Sequence, residues 1–193
     1  MPNKELSNYY TRKNERGATL LELIVAVLIL TIALLGTAAA ITHAFRLNTM
    51  SRNATHAKMI GVSMLEQAEN LRNTRRLLFR QIANVGSVDN TGATSAFGGF
   101  ATTFTPVSAN PGPDGIYGTT DDLIDQGLDG LYGTADDFTN NALADPGYSR
   151  QVAITSLSST LKRVTVIVRY PGTASNTVEL TCIGYLNDND PSS

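Results

Sequence analysis

Two groups of residues in this chain have types and spacings that could do chemistry. The first is a lone carboxylate. Glu22 follows Gly17-Ala18-Thr19-Leu20-Leu21, and residues 23–45 contain no Asp, Glu, Lys or Arg. A run of that length can cross a bilayer as a helix. A carboxylate inside hydrocarbon costs on the order of a few kcal/mol unless it has a partner. Cleavage between Gly17 and Ala18 would create one, because the new amine on Ala18 would lie one helical turn from Glu22.

The second group is a repeat. Asp114-Gly115-Ile116-Tyr117-Gly118-Thr119-Thr120-Asp121-Asp122 recurs fifteen residues on as Asp129-Gly130-Leu131-Tyr132-Gly133-Thr134-Ala135-Asp136-Asp137, and all but two positions match. Residues 81–149 hold nine acids and no Lys or Arg. Carboxylates gathered this way repel one another unless a cation or solvent screens them. Calcium suits an Asp- and Gly-rich loop, since it takes carboxylate and carbonyl oxygens in flexible geometry. Asp114, Asp121, Asp122, Asp129, Asp136 and Asp137 are the candidate ligands. The spacing is not that of an EF-hand, and two solvated Asp-Gly turns without metal are the alternative.

No catalytic constellation accompanies these groups. His43 lies in or beside the apolar run and His56 on a charged helical stretch, neither with a Ser or Cys nucleophile arranged about it. A phosphate-binding Gly-Lys loop and a Cys/His zinc pattern are both missing. The sequence therefore predicts a protein that is not an enzyme. The single cysteine, Cys182, excludes an internal disulfide. Residues 1–17 carry four bases and two acids, so their removal takes the net charge from −2 to −4. That balance argues against nucleic acid as a main partner.

The elements that must position these groups follow from patterning. Leu47, Met50, Ala54, Ala57, Gly61, Met64, Ala68 and Leu71 recur at intervals of three and four, which predicts a helix continuing beyond the apolar run with one narrow seam. No proline interrupts residues 18–79. Residues 85–111 read as loop, with a short strand near 100–107. Residues 151–155, 161–170 and 177–185 are β-branched segments separated by turn residues. An antiparallel sheet laid on the helix seam is the expected result, giving an α+β fold.

Taken together, Gly17-Ala18-Thr19-Leu20-Leu21-Glu22 and the uncharged run after it resemble the N-terminus of type IV prepilins and type II secretion pseudopilins. The resemblance implies cleavage after Gly17 by a prepilin peptidase, N-methylation of Ala18, and an assembly salt bridge through Glu22, the fifth mature residue. Ala18 stands where a phenylalanine is commoner in that family. A second resemblance, carried by Met64-Leu65-Glu66 and Glu69-Asn70-Leu71-Arg72, is to pilus-modification proteins and the I-type minor pseudopilin. The expected organisation is a leader at 1–17, a membrane or filament-core half-helix at 18–45, an amphipathic half-helix at 46–80, and a pilin-like β domain at 81–193 with its acidic loop at 112–137. The implied partners are other pilin or pseudopilin subunits, the prepilin peptidase, an inner-membrane assembly platform and membrane lipid. The implied location is the inner membrane, single-pass with the N-terminus cytoplasmic, then a periplasmic or extracellular filament. A secretion-system pseudopilin and a calcium-dependent, membrane-anchored adhesion module are the competing functions.

Overall fold

The structure is a computed structural model, and it describes residues 19–173 and 176–188. The chain divides into two compact units, residues 1–45 and 46–193. One helix, α1 (Leu20–Asn73), contributes to both.

In the first unit every described residue is exposed. Its surface is Leu, Ile and Val on all sides, the composition of a helix solvated by lipid and not by water. Hydroxyls in this stretch are satisfied locally: Thr31, Thr37 and Thr42 each donate to a carbonyl three or four residues back. Such back-bonding is what lets Thr sit in an apolar environment without an unmet donor.

In the second unit α1 buries a seam of Ala57, Ile60, Gly61, Met64, Ala68 and Leu71. The expected small-residue seam therefore exists from Ala57 onward, with Ile60 added beside it, while Leu47 and Met50 are exposed. Gly61 shows why the seam is small. A Cβ there would meet Cys182 Sγ at 2.6 Å, so only glycine lets helix and sheet approach this closely. α1 closes at Asn73 and does not run on to Arg80. Thr74 donates twice to the Asn70 carbonyl, Arg75 takes the left-handed conformation (φ 56°), and Leu77 N–H returns to the Leu71 carbonyl. This end-capping turn throws Leu77 back into the core. A one-turn 3-10 helix, Phe79–Gln81, follows.

The remaining chain forms β1 (Thr105–Ser108), β2 (Ile124–Asp125), β3 (Phe138–Thr139), β4 (Ala144–Ser156), β5 (Leu161–Pro171) and β6 (Thr177–Asn187). The main sheet has the order β1-β4-β5-β6, and every pairing in it is antiparallel. The short strand expected near 100–107 is β1, on one edge. In β5 the parity is plain: Val164, Val166 and Val168 are buried, and Arg163, Thr165 and Ile167 face outward. The inner face of this sheet and the seam of α1 enclose the core, joined by Ile82, Phe97, Phe100 and Ile116 from the intervening loops. This is the α+β arrangement the patterning predicts.

Lys162 shares the inner face with the three valines and is also buried. Its ammonium donates to the carbonyls of Phe79 and Ile82 at 2.6 and 2.9 Å and lies 4.6 Å from the Phe79 ring centre. Burial pushes its pKa down, opposed by the charges of Asp188 and Asp89. The cation thus caps carbonyls that the end of α1 and the 3-10 turn leave without strand partners.

Candidate functional site

Gly17 and Ala18 lie outside the described residues. The first described residue, Thr19, is the N-cap of α1. Its hydroxyl accepts from Glu22 N–H at 3.3 Å, and its carbonyl accepts from Leu23 N–H. Thr-Leu-Leu-Glu is therefore also a capping sequence, with Glu22 at the third helical position. Its charge sits at the positive end of the helix dipole, which favours a carboxylate there. The sequence reading missed this local role, although the Thr-x-x-Glu spacing announces it.

The acidic repeat is built twice in the same way. In the first copy, Asp121 accepts from Asp114 N–H, Asp114 from Ile116 N–H, and Asp122 from Gly118 N–H. In the second, Asp136 accepts from Asp129 N–H, Asp129 from Leu131 N–H, and Asp137 from Gly133 N–H. Thr119 and Thr134 each donate to the aspartate two residues on. Gly118 and Gly133 share the left-handed conformation, φ 86° and 85°. This shared set of hydrogen bonds from near-identical sequence identifies one loop motif, closed largely by its own side chains.

The surroundings of the two copies differ. The first copy is docked on the rest of the unit. Ile116 is buried, a Cβ on Gly118 would run into Met64 and Val152, and Gln67 exchanges two hydrogen bonds with the Tyr117 backbone. Asp122, 2% exposed, forms a buried ion pair with Arg150, whose guanidinium also lies 5.5 Å from the Tyr117 ring centre. The second copy is held more lightly: Leu131 is 62% exposed, no atom lies within 4 Å of a Cβ built on Gly133, and Tyr132 reaches out of the loop by a hydroxyl donating to Asn110. Asp137 Oδ1, whose counterpart in Asp122 accepts from Thr119, has no hydrogen-bond partner.

Two of the acids titrate away from the usual carboxylate value, in opposite directions. Burial, reinforced by the charges of Asp121 and Asp122, pushes Asp114 up to about 6 against the pull of its bond from Ile116. Hydrogen bonds from Thr134 and Leu128 hold Asp136 below the usual carboxylate value. Oxygen donors of the kind calcium takes are abundant here. Among the described residues, however, no three His, Cys, Asp or Glu side chains are placed to hold one metal ion. As arranged, the carboxylates serve the loops' own N–H and hydroxyl groups and Arg150.

His56 approaches Asp145 at 3.6 Å and packs on the Tyr148 ring, 4.8 Å between centres. The trio ties α1 to β4 at a partly exposed edge.

An uncharged apolar N-terminal helix ahead of an antiparallel sheet defines a pilin-like class of α+β protein. Residues 12–38, a window that includes Gly17, Ala18 and Glu22, match the family described as prokaryotic N-terminal methylation motif. That match supports placing the chain in the type IV pilin and pseudopilin superfamily. No curated protein and no solved structure matches it. The match covers 27 of the 193 residues, and among the described residues one helix is long and apolar enough to cross a membrane.

Proposed function

We propose that the chain is a minor subunit of a type IV pilus-like filament, entering it through the N-terminal helix after leader removal and methylation at Ala18. The observation that carries this reading is Glu22. It is the one acid in a helix otherwise apolar to Phe45, and it stands five residues beyond a glycine that follows a charged leader. In the mechanism, Glu22 of an incoming subunit meets the Ala18 amine of its neighbour within the apolar filament core. Burying the two charges together avoids much of the cost of burying either alone. The side chains from Leu20 to Ile41 supply the apolar packing.

Intact-mass measurement of the membrane protein tests the first step. Cells with an active prepilin peptidase are expected to yield a chain that begins at Ala18. Recovery of the chain from Met1 in those cells would overturn the reading. A minor pseudopilin of a secretion system would pass the same test. Recovery of the chain in sheared surface filaments favours the pilus.

Calcium binding by the acidic loops is a separate proposal, supported by the duplication of an all-oxygen donor set. It is tested by thermal melting in chelator, then with calcium or magnesium. An ion bound only by the folded state raises the melting temperature by mass action. Calcium is expected to do so more than magnesium, whose rigid octahedral geometry suits such loops poorly. A melt that calcium does not move would leave both copies as metal-free turns.

A further inference from the structure

Between Glu22 and Glu66 the chain carries no acid. Three cations, Arg46, Arg52 and Lys58, fall inside that interval, all of them after the uncharged run closes at Phe45. Charge is thus sorted along α1: none, then basic without an acid, then mixed from Glu66 onward. The start of the second unit is also bare helix. Every residue from Arg46 to Arg52 is exposed, and burial on the sheet begins only at Ala57. Leu47 and Met50, which keep the spacing of the seam, are 53% and 37% exposed. Apolar side chains mixed with arginines fit a lipid interface, where the first enter the acyl boundary and the second meet phosphates.

Helix geometry aims these groups. Long side chains on an α-helix lean back toward its N-terminus, which in α1 is the end that holds the apolar run. Arg46 adjoins that run in the sequence, the position at which cations anchor a span at headgroup level. Arg52 follows about 9 Å further along the axis, and its flexible stem can return the guanidinium to the same layer. Lys58 stands about 18 Å beyond Arg46, whereas the headgroup layer is only about 5–8 Å deep. It is too far out to share the contact.

We propose that α1 from Arg46 to Arg52 is a binding surface for anionic lipid headgroups. Arg46 and Arg52 pair with the phosphates, and Leu47 and Met50 enter the acyl boundary. Two features name the occupant: charge complementarity in an acid-free segment, and continuity with the apolar run. A zwitterionic lipid also offers a phosphate, but its own ammonium offsets that charge. Two arginines with no acid in their segment therefore select the lipid of net negative charge. The inference goes beyond the subunit reading, since it concerns the chain in the bilayer and needs neither cleavage after Gly17 nor Glu22. A chain that leaves the bilayer for a filament must give these phosphates up.

The chain has no tryptophan, so Phe45→Trp gives a single fluorophore beside the surface. The full chain is reconstituted in vesicles of phosphatidylcholine and phosphatidylglycerol in equal parts, with bromine on the acyl chains of one lipid or the other. Quenching then reports which lipid surrounds the helix at that depth. Phosphatidylglycerol is expected to be enriched about fivefold or more over its share, and added salt should lower the enrichment. Arg46→Gln together with Arg52→Gln should bring the ratio to about one, while Lys58→Gln leaves it unchanged. Equal quenching by the two lipids in the parent chain would overturn the surface. So would an enrichment that survives the double change, or one that Lys58→Gln removes as fully. The vesicles hold neither peptidase nor filament, so the outcome is separate from the intact-mass test. A chain cut after Gly17 in cells but without lipid enrichment overturns this contact and spares the subunit reading, whereas enrichment in a chain that is never cut does the reverse.

Discussion

Asp122→Ala is expected to destabilise the globular unit by about 3–5 kcal/mol, whereas Asp137→Ala, the same change in the second loop, is expected to cost less than about 1 kcal/mol. Removing Asp122 leaves the Arg150 guanidinium buried without its counter-charge, and Gly118 and Thr119 without their acceptor. A buried charge stripped of its partner is among the costliest single changes a fold can suffer. Asp137 is partly exposed and holds only the Gly133 N–H, which water can replace. Natural domains are stable by only about 5–15 kcal/mol, so the first variant should also accumulate poorly. Asp122→Asn keeps an acceptor for the loop N–H groups and should fall between the two. Denaturant unfolding of the purified full-length protein in detergent reads all three. Equal losses at 122 and 137 would mean that the first loop is no more firmly docked than the second.

The two loops also mark where the sequence stops being legible. Nine residues matching at all but two positions predict one local structure, and one local structure is found. Which copy is buried depends on Arg150, Met64 and Val152, residues far away in the chain that carry no mark of their partner. The sheet divides in the same manner. Alternating β-branched residues announce β5 and most of β6. β4, however, extends back to Ala144 through Pro146 and Gly147, held by pairing with β1 and not by propensity. The seam of α1 is readable from its spacing where a sheet covers it, at Ala57 to Leu71. Leu47 and Met50 keep the same spacing and are exposed, because periodicity states which residues share a face, not whether anything packs there. The early end of α1 is fixed by Arg75 in a left-handed turn, a conformation that arginine propensity does not suggest. Lys162 is the reverse case. Its parity with Val164 places it on the inner face, and the carbonyls after α1 explain how a lysine can stay there.

Glu22→Ala is expected to leave membrane insertion and cleavage largely intact while lowering incorporation into filaments at least roughly tenfold, the effect of about 1.4 kcal/mol per subunit contact. The motive is a carboxylate that opposes insertion yet stands in an apolar helix. The structure supplies a competing explanation that the experiment must separate. Glu22 is at the third position of α1 with its N–H on the Thr19 hydroxyl, so it belongs to the helix cap and complements the helix dipole. A cap contribution is about 0.5–1 kcal/mol and stabilises the helix start in every setting, before assembly as well as after. Glu22→Gln distinguishes the two, because glutamine retains the hydrogen-bonding capacity of a capping box and loses only the charge. If pairing with a neighbour's amine is the role, Gln fails in assembly almost as badly as Ala. If capping is the role, Gln behaves as wild type and Ala is only mildly impaired. The quantity measured is the ratio of variant to wild-type chain in sheared filaments at matched membrane levels. Wild-type incorporation of Glu22→Gln would defeat the charge-pairing mechanism, and wild-type incorporation of Glu22→Ala would remove Glu22 from assembly altogether.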